Sequence, residues 1–262
     1  MERGLGNNLS SERFSPVSSR TLTVKFQFTR LKGAEFMFKY ETHLHTSETS
    51  ACANSTGAEM AVKYKEEGYT GIIVTDHFFN GNTTVPRDLP WNERVELFCK
   101  GYESAKAKGD EIGLDVYFGF EYTYHGSDFL VYGLDKQWLM NNDRIMDMKL
   151  YRFLDHVHAC GGRVIHAHPF RDYDYIPMMT FAPHRIDGVE IVNTSHADPA
   201  FDERAKMYAE WYNLPVTCGS DAHNTTDRWY GGGVLTERKL TSALDYVDAV
   251  IMGEAKIIEK NK

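Results

Sequence analysis

The chain has 262 residues, 42% hydrophobic and 25% charged, which is enough for one barrel-sized α/β domain with a large core. A formal net charge of −8 argues against a broad nucleic-acid-binding face, though not against a small phosphorylated substrate, because bound cations would reverse the sign locally. There is no apolar run of roughly eighteen residues, so no membrane span is expected, and Cys52, Cys99, Cys160 and Cys218 lack paired spacing, as in a cytoplasmic protein with reduced thiols.

Residues 1–36 are rich in Ser and Gly and lack a sustained period, apart from an alternating stretch over 22–28. They are expected to form a poorly ordered, dispensable extension from an upstream start; Met1-Glu2-Arg3-Gly4 has no apolar core of a secretory signal. The domain proper, 37–262, opens with a strand over 37–43. A helix over 58–67 ends at Gly68, and 71–75 is a short apolar strand of the buried parallel kind. A single helix is predicted over 91–108 with Asn92 as its cap, then strands over 114–120 and 129–134. A helix over 147–160 stops at Gly161-Gly162. Strands over 163–167, 188–192 and 215–218, helices over 200–211 and 240–252, and a closing strand over 256–258 complete the pattern. Strands alternating with helices predict a parallel α/β barrel with its reactive groups at the C-terminal strand ends.

Five clusters sit at those ends: His43-Leu44-His45, Thr75-Asp76-His77, Gly119-Phe120-Glu121, His166-Ala167-His168-Pro169 and Gly219-Ser220-Asp221-Ala222-His223. Imidazole and carboxylate are the ligands of hydrolytic Zn, Mn or Fe. Side chains two apart on a strand share a face, so His43 and His45 suit one metal, and Asp221 and His223 repeat the spacing. A lone pair of this kind reads equally well as hydrogen-bonded surface histidines. Five in series indicate a multinuclear centre, because burying so many titratable groups without metal is costly. Pro169 holds His168 extended.

In kind and order, from about residue 40 to the C-terminus, these motifs resemble the polymerase and histidinol phosphatase (PHP) superfamily of metal-dependent phosphoesterases. The resemblance implies a distorted (β/α)7 TIM-like barrel holding two or three divalent ions (Mn, Fe or Zn). It places His43, His45, Glu121 and Asp221 on a first ion, Glu121 and His168 on a second, and His77 and His223 on a third. Two positions depart from the pattern. Ser50 and Ala51 stand where many members carry Asp or His, so Glu48 or Cys52 substitutes there or the third site is weak or absent. Asp128 stands near a position usually held by histidine and is taken as a ligand, with His125 as its rival; a carboxylate there would favour Mn or Fe over Zn.

Two cations of this kind would activate a water and steady the oxygens of a phosphoryl group. Arg171 is the first candidate to clamp that group and Arg228 the second, each weighed against a solvated loop arginine. Asp76, adjacent to His77, is expected to orient a ligand imidazole from behind. His166 shares the face of His168 unless the strand bends, and His156 and His158 should face solvent or helix-end carbonyls. Cys160 and Cys218 read as small core residues. Tyr122, Tyr124, Trp229 and Tyr230 could stack on a substrate ring, though core or rim packing competes. Asn193 could reach substrate or serve a turn. The expected activity is hydrolysis of a small phosphomonoester, with specificity set by loops 80–90 and 170–185. A phosphodiester substrate and a non-catalytic metal-binding module are the alternatives. Amidohydrolases share the barrel and His-x-His but want a bridging lysine where Glu121 stands here.

Overall fold

The computed structural model describes residues 37–226 and 231–258; the expected extension 1–36, with its strand over 22–28, and Arg228, Trp229 and Tyr230 lie outside the described residues. In chain order the elements are β1 (Phe38–Leu44), α1 (Gly57–Glu66), β2 (Gly71–Val74), α2 (Trp91–Phe98), α3 (Lys100–Ile112), β3 (Asp115–Tyr124), β4 (Ser127–Tyr132) and α4 (Lys136–Met140). Then follow α5 (Leu150–Ala159), β5 (Arg163–Ala167), β6 (Gly188–Asn193), α6 (Pro199–Tyr212), β7 (Val216–Gly219), β8 (Val234–Thr236), α7 (Ala243–Ile251) and β9 (Lys256–Ile257). Among the described residues they form one nine-stranded sheet, ordered β7-β6-β5-β4-β3-β2-β1-β8-β9. Its first and seventh strands come back together: the Asp221 N–H donates to the His43 carbonyl at 2.8 Å, and Leu44 bridges Ala222 in parallel. The sheet is thus a nearly closed α/β barrel, with β8 and β9 laid beyond β1.

The expected all-parallel barrel is corrected at β4, which runs antiparallel to both β3 and β5. The cause is local. Strand β3 continues to Tyr124, past the predicted end at 120, and turns back through His125 and Gly126, whose φ values are 52° and 88°. Two central residues with positive φ make the turn that matches the twist of a two-residue hairpin. A helix therefore does not follow every strand, and strict (β/α)7 alternation does not hold. Strand β8, antiparallel to β1, and helix α4 are further additions to the predicted set.

Helix α1 is specified by a capping box: the Thr56 side chain accepts from the Glu59 N–H while Glu59 reaches back to the Thr56 N–H. The helix expected over 91–108 is two helices joined at Cys99, and Asn92 lies inside the first turn rather than capping it; the N-cap is Pro90. The break lets each half bury a different face. Helix α2 sends Val95 and Phe98 into a cluster with Phe78, Phe79 and Phe120. Helix α3 turns Gly101, Ala105 and Gly109 inward, and at Gly57 of α1 a Cβ would clash with the Gly101 carbonyl. No helix among the described residues is long and apolar enough to cross a membrane.

Several side chains with a possible role in the chemistry are in the core instead. Tyr122 is 2% exposed and stacks on Phe153 with ring centroids 3.7 Å apart. Cys218 is buried as expected, but Cys160 is exposed at the end of α5. His156 pairs with Asn142 and His158 with Asp187 rather than with helix-end carbonyls, and both rings remain partly exposed to solvent. His166 parts from His168 because His168 takes φ +28° and breaks the strand alternation. His166 is instead fully buried, stacked on Phe129 and edge-on to Tyr208, with neither ring nitrogen hydrogen-bonded among the described residues.

Burial holds the His166 imidazole down at about 3. An unfolded histidine titrates near 6.5, so between those values only the unfolded chain takes the proton. Stability from this group is present above about pH 6.5 and falls with acidification toward about pH 3, by up to about 1.4 kcal/mol per pH unit. His166→Phe should therefore raise the melting temperature relative to wild type, by more at pH 5.5 than at pH 7.5. Thermal denaturation at both values checks this; a difference independent of pH would contradict it.

Candidate metal centre

Two imidazoles on β1 and just beyond it form the floor of the centre. His43 and His45 are fully buried, and their Nε2 atoms face each other at 3.2 Å. Each ring is held from behind through Nδ1. For His43 the partner is Glu190 Oε1 on β6, at 3.1 Å. For His45 it is Ser50 Oγ, at 3.2 Å, and that hydroxyl donates to Asp76 Oδ1 at 2.7 Å. A hydroxyl that spends its proton on Asp76 must accept from His45, and an ionised Glu190 must accept from His43. Both Nδ1 atoms are then protonated, and both Nε2 atoms point into the same space.

Acceptors fill the other sides of that space. Glu121 Oε1 lies 3.3 Å from His43 Nε2 and 3.3 Å from His168 Nε2, and Asp221 Oδ1 lies 3.4 Å and 3.0 Å from the two facing nitrogens. Glu121 Oε2 lies 2.6 Å from His77 Nδ1. Asp221 takes φ 55° immediately after the strand-end turn, which swings its carboxylate inward. Ligand atoms fall into overlapping groups within 4.8 Å of one another: His43, His45 and Asp221; Glu121, Asp128 and His168; His45, His77 and His223; and His43, His168 and Glu190. All eight residues predicted as ligands are thus brought together.

The donor set fits divalent cations on an independent observation. His77 Nδ1, Glu121 Oε2 and Asp221 Oδ1 are buried without a well-aligned hydrogen bond, although each has a polar neighbour close by. Buried polar atoms without partners are rare unless a ligand satisfies them. Charge points the same way. Burial resists ionisation of Glu121, but His77, His168 and His43 outweigh it and hold the carboxyl well below its usual range. Asp221 is likewise held well below its usual range, with Arg171 and His43 overcoming burial. Burial and the charge of Glu121 push Asp128 up to about 7. Burial and the neighbouring Arg171 bring His168 down to about 4. Burial opposes charge on His43 and His77 too, yet Glu190 and Asp221 for the first and Glu121 for the second hold them well above the usual imidazole range, so the carboxylates draw positive charge into the centre.

No family model and no curated protein matches the chain. Solved structures do. A two-domain protein from Bacteroides vulgatus containing a predicted PHP-like metal-dependent phosphoesterase superposes with TM-score 0.62 at 14% identity. The match covers 86% of this chain and 65% of that one, so this chain spans just under two thirds of the Bacteroides protein. This chain has the PHP-type barrel fold. A proposed metal-dependent phosphoesterase from Bifidobacterium adolescentis gives TM-score 0.50 at 15% identity, covering 73% of this chain and 90% of that one. An amidohydrolase from Chromobacterium violaceum, solved with sulfate, gives 0.52 at 13% identity, covering 84% and 98%.

Within this PHP-type barrel the open choices resolve by position. Asp128 joins Glu121 and His168, whereas His125 is exposed at the hairpin turn. Glu48 is directed away, accepting from the Gly57 N–H at the start of α1. Cys52 stands beside His223 and His77; burial pushes its thiol up, but those two rings bring it down to about 6. Arg171 enters the centre, its Nη1 2.7 Å from Asp221 Oδ2 and its Nη2 against His168 Nε2 and 3.8 Å from Asp128. The Asp76 carboxylate takes the Thr46 N–H, the Thr46 hydroxyl and the Ser50 hydroxyl, so the imidazole it orients is His45, through Ser50. Asn193 serves a turn, accepting from Ser195 and donating to Glu190.

Two contributors escaped the sequence. Glu190 accepts from His43 Nδ1, the His168 N–H and Asn193, and so links two ligands from a third strand. Its signal was a carboxylate inside an otherwise apolar strand, Gly188-Val189-Glu190-Ile191-Val192. Glu41 is also fully buried, accepting from the N–H groups of Thr42, His43 and Ser220 and from the Tyr64 hydroxyl. It ties β1 to the end of β7, where the barrel closes beneath His43 and Asp221.

Proposed function

We propose that this protein is a metal-dependent phosphoesterase hydrolysing a small phosphomonoester. His43, His45, His77, Glu121, Asp128, His168, Asp221 and His223 would hold two or three divalent ions of Mn, Fe or Zn. The observation that carries the reading is the 3.2 Å approach of two imidazole Nε2 atoms whose Nδ1 protons are engaged elsewhere, opposite acceptor carboxylates. Two buried imidazole nitrogens this close share a positive charge, a proton or a metal ion, and the ring of carboxylates around them suits the metal.

When bound, such ions supply charge to activate a water and to neutralise a phosphoryl group. The remaining work falls to the chain. Glu190 and the Asp76–Ser50 pair keep both Nδ1 atoms protonated and both Nε2 atoms free to coordinate. Arg171 is placed at the edge of the carboxylates with a planar fork able to engage two phosphoryl oxygens. Glu121 at the shared position, where amidohydrolases want a lysine, favours phosphoryl over amide chemistry. The acidic net charge fits a small substrate better than a nucleic acid.

The test is phosphate release from a panel of phosphomonoesters by protein loaded separately with Mn, Fe or Zn, with metal content measured in parallel. Release abolished by chelator is expected. Bound metal with no release from any member would refute the reading in favour of a diester substrate or a non-catalytic module. Ser50→Ala removes the link between Asp76 and His45, and should weaken metal affinity about 10- to 100-fold. Competition against a chelating dye measures this; an unchanged affinity would show that Ser50 does not orient the ring.

A further inference from the structure

The loop after His168 presents two aromatic rings to solvent beside the centre, and no step above uses them. Tyr173 is 40% exposed and Tyr175 70% exposed. Their ring centroids lie 5.7 Å apart with planes 40° from parallel, and Tyr173 is braced edge-on against Phe201 at 5.8 Å. The segment is tied down on both sides. The Arg171 N–H donates to the His168 carbonyl at 3.0 Å, and the Ile176 N–H to the Tyr173 carbonyl at 2.8 Å, so Tyr175 projects from a hydrogen-bonded turn. Beyond it, Ile176 and Pro177 press on the β3–β4 turn, where a Cβ at Gly126 would meet Ile176 Cγ2 at 3.0 Å. The Thr180 N–H donates to Ser127 Oγ at 2.7 Å.

An exposed tyrosine on a tethered turn costs little further entropy to order when a flat partner arrives. Position selects the partner. Arg171, earlier in the same loop, reaches Asp221 and Asp128, and just beyond Tyr175 the loop packs on the β3–β4 turn next to Asp128, which puts Tyr175 on the guanidinium side of the centre. A molecule whose phosphoryl group engages Arg171 would extend past that ring on its way to solvent. Among the described residues, the strongly exposed Trp211 stands instead at the end of α6. Tyr122, the nearer candidate by sequence, is buried under Phe153 and unavailable.

We propose that Tyr175, steadied by Tyr173, is a stacking subsite for a planar aromatic or heteroaromatic ring carried by the substrate, so that the preferred esters are ring-bearing phosphomonoesters. This rests on the phosphoesterase reading. Stacking of a base on an aromatic side chain is worth enough to shift affinity about 5- to 100-fold.

The test uses the full metal-loaded chain and three esters: adenosine 5′-monophosphate, phenyl phosphate and ringless glycerol phosphate. Tyr175→Ala should lower kcat/KM for a ring-bearing ester, relative to that for glycerol phosphate, by about tenfold, mostly through KM. Tyr175→Phe should keep the wild-type ratio. A loss confined to the nucleotide assigns the subsite to a nucleobase, and one confined to phenyl phosphate assigns it to an aryl group. A ratio unmoved by Tyr175→Ala overturns the proposal while leaving the phosphoesterase reading standing. If wild type hydrolyses none of the three, that reading fails, and calorimetric binding of the two ring-bearing esters decides the subsite. Weaker binding by Tyr175→Ala than by wild type then supports it; equal binding, or none, overturns it.

Discussion

Replacing His43 with alanine is expected to strip the centre of its metal and to reduce phosphate release by about a thousandfold or more, roughly 4 kcal/mol of transition-state stabilisation at 1.4 kcal/mol per decade. His43 reaches side chains on every side of the site. Its Nε2 meets His45, Glu121 and Asp221 at 3.2, 3.3 and 3.4 Å, and its Nδ1 meets Glu190 at 3.1 Å. Removing the ring also leaves Glu190 and Asp221 as buried carboxylates short of a partner, a defect that typically costs about 3–5 kcal/mol. Metal content by elemental analysis, phosphate release and thermal denaturation should all fall together. A variant that keeps its metal and its activity would remove His43 from the centre. Loss of fold alone is separated from loss of ligation by Glu190→Gln, which retains volume and an acceptor oxygen, and should show a smaller fall in metal affinity.

The second large effect lies outside the centre, at Gly101. A Cβ there would clash with Thr46 Oγ1 and stand 2.6 Å from Asp76 Oδ2. Neither neighbour can retreat easily: both are buried, and the Asp76 carboxylate takes the Thr46 N–H and hydroxyl, each at 2.6 Å. Helix α3 cannot back away either without opening its close crossing with α1 at Gly57. Gly101→Ala is therefore expected to destabilise the protein by about 3 kcal/mol, the upper part of the range for overpacking. It should also loosen His45, because Thr46, Asp76 and Ser50 form one hydrogen-bonded unit behind that ring. Urea denaturation measures the first effect and metal affinity the second. Adding Thr46→Ala should recover part of the stability, giving a non-additive double-mutant cycle. Strict additivity would mean that the clash is relieved elsewhere.

Much of the site was legible because it depends on local periodicity. His43 and His45 share a face by the two-residue repeat of a strand, and each of the five clusters follows an apolar run short enough to be a buried strand. Helix α1 was equally readable from its helical pattern and from the Gly68 that stops it. The departure at Ser50 from what the resemblance implies was visible too, although its consequence was not.

What the amino-acid order determined by itself was therefore the alternation of elements, the strand-end location of the chemistry and the identity of the residues offered to it. What only the tertiary structure decided was partnership. Glu190 supports His43 across 147 residues of chain, and Asp76 turns to Ser50 and Thr46 rather than to its neighbour His77. His166 leaves the centre because the backbone at His168 flips to positive φ, and β4 reverses direction on a two-residue turn. The physical reason is the same in each case. Spacing along a chain specifies which face a side chain occupies, whereas hydrogen bonds behind the candidate ligands are made between strands brought side by side by barrel closure, and that closure depends on the packing of the whole core.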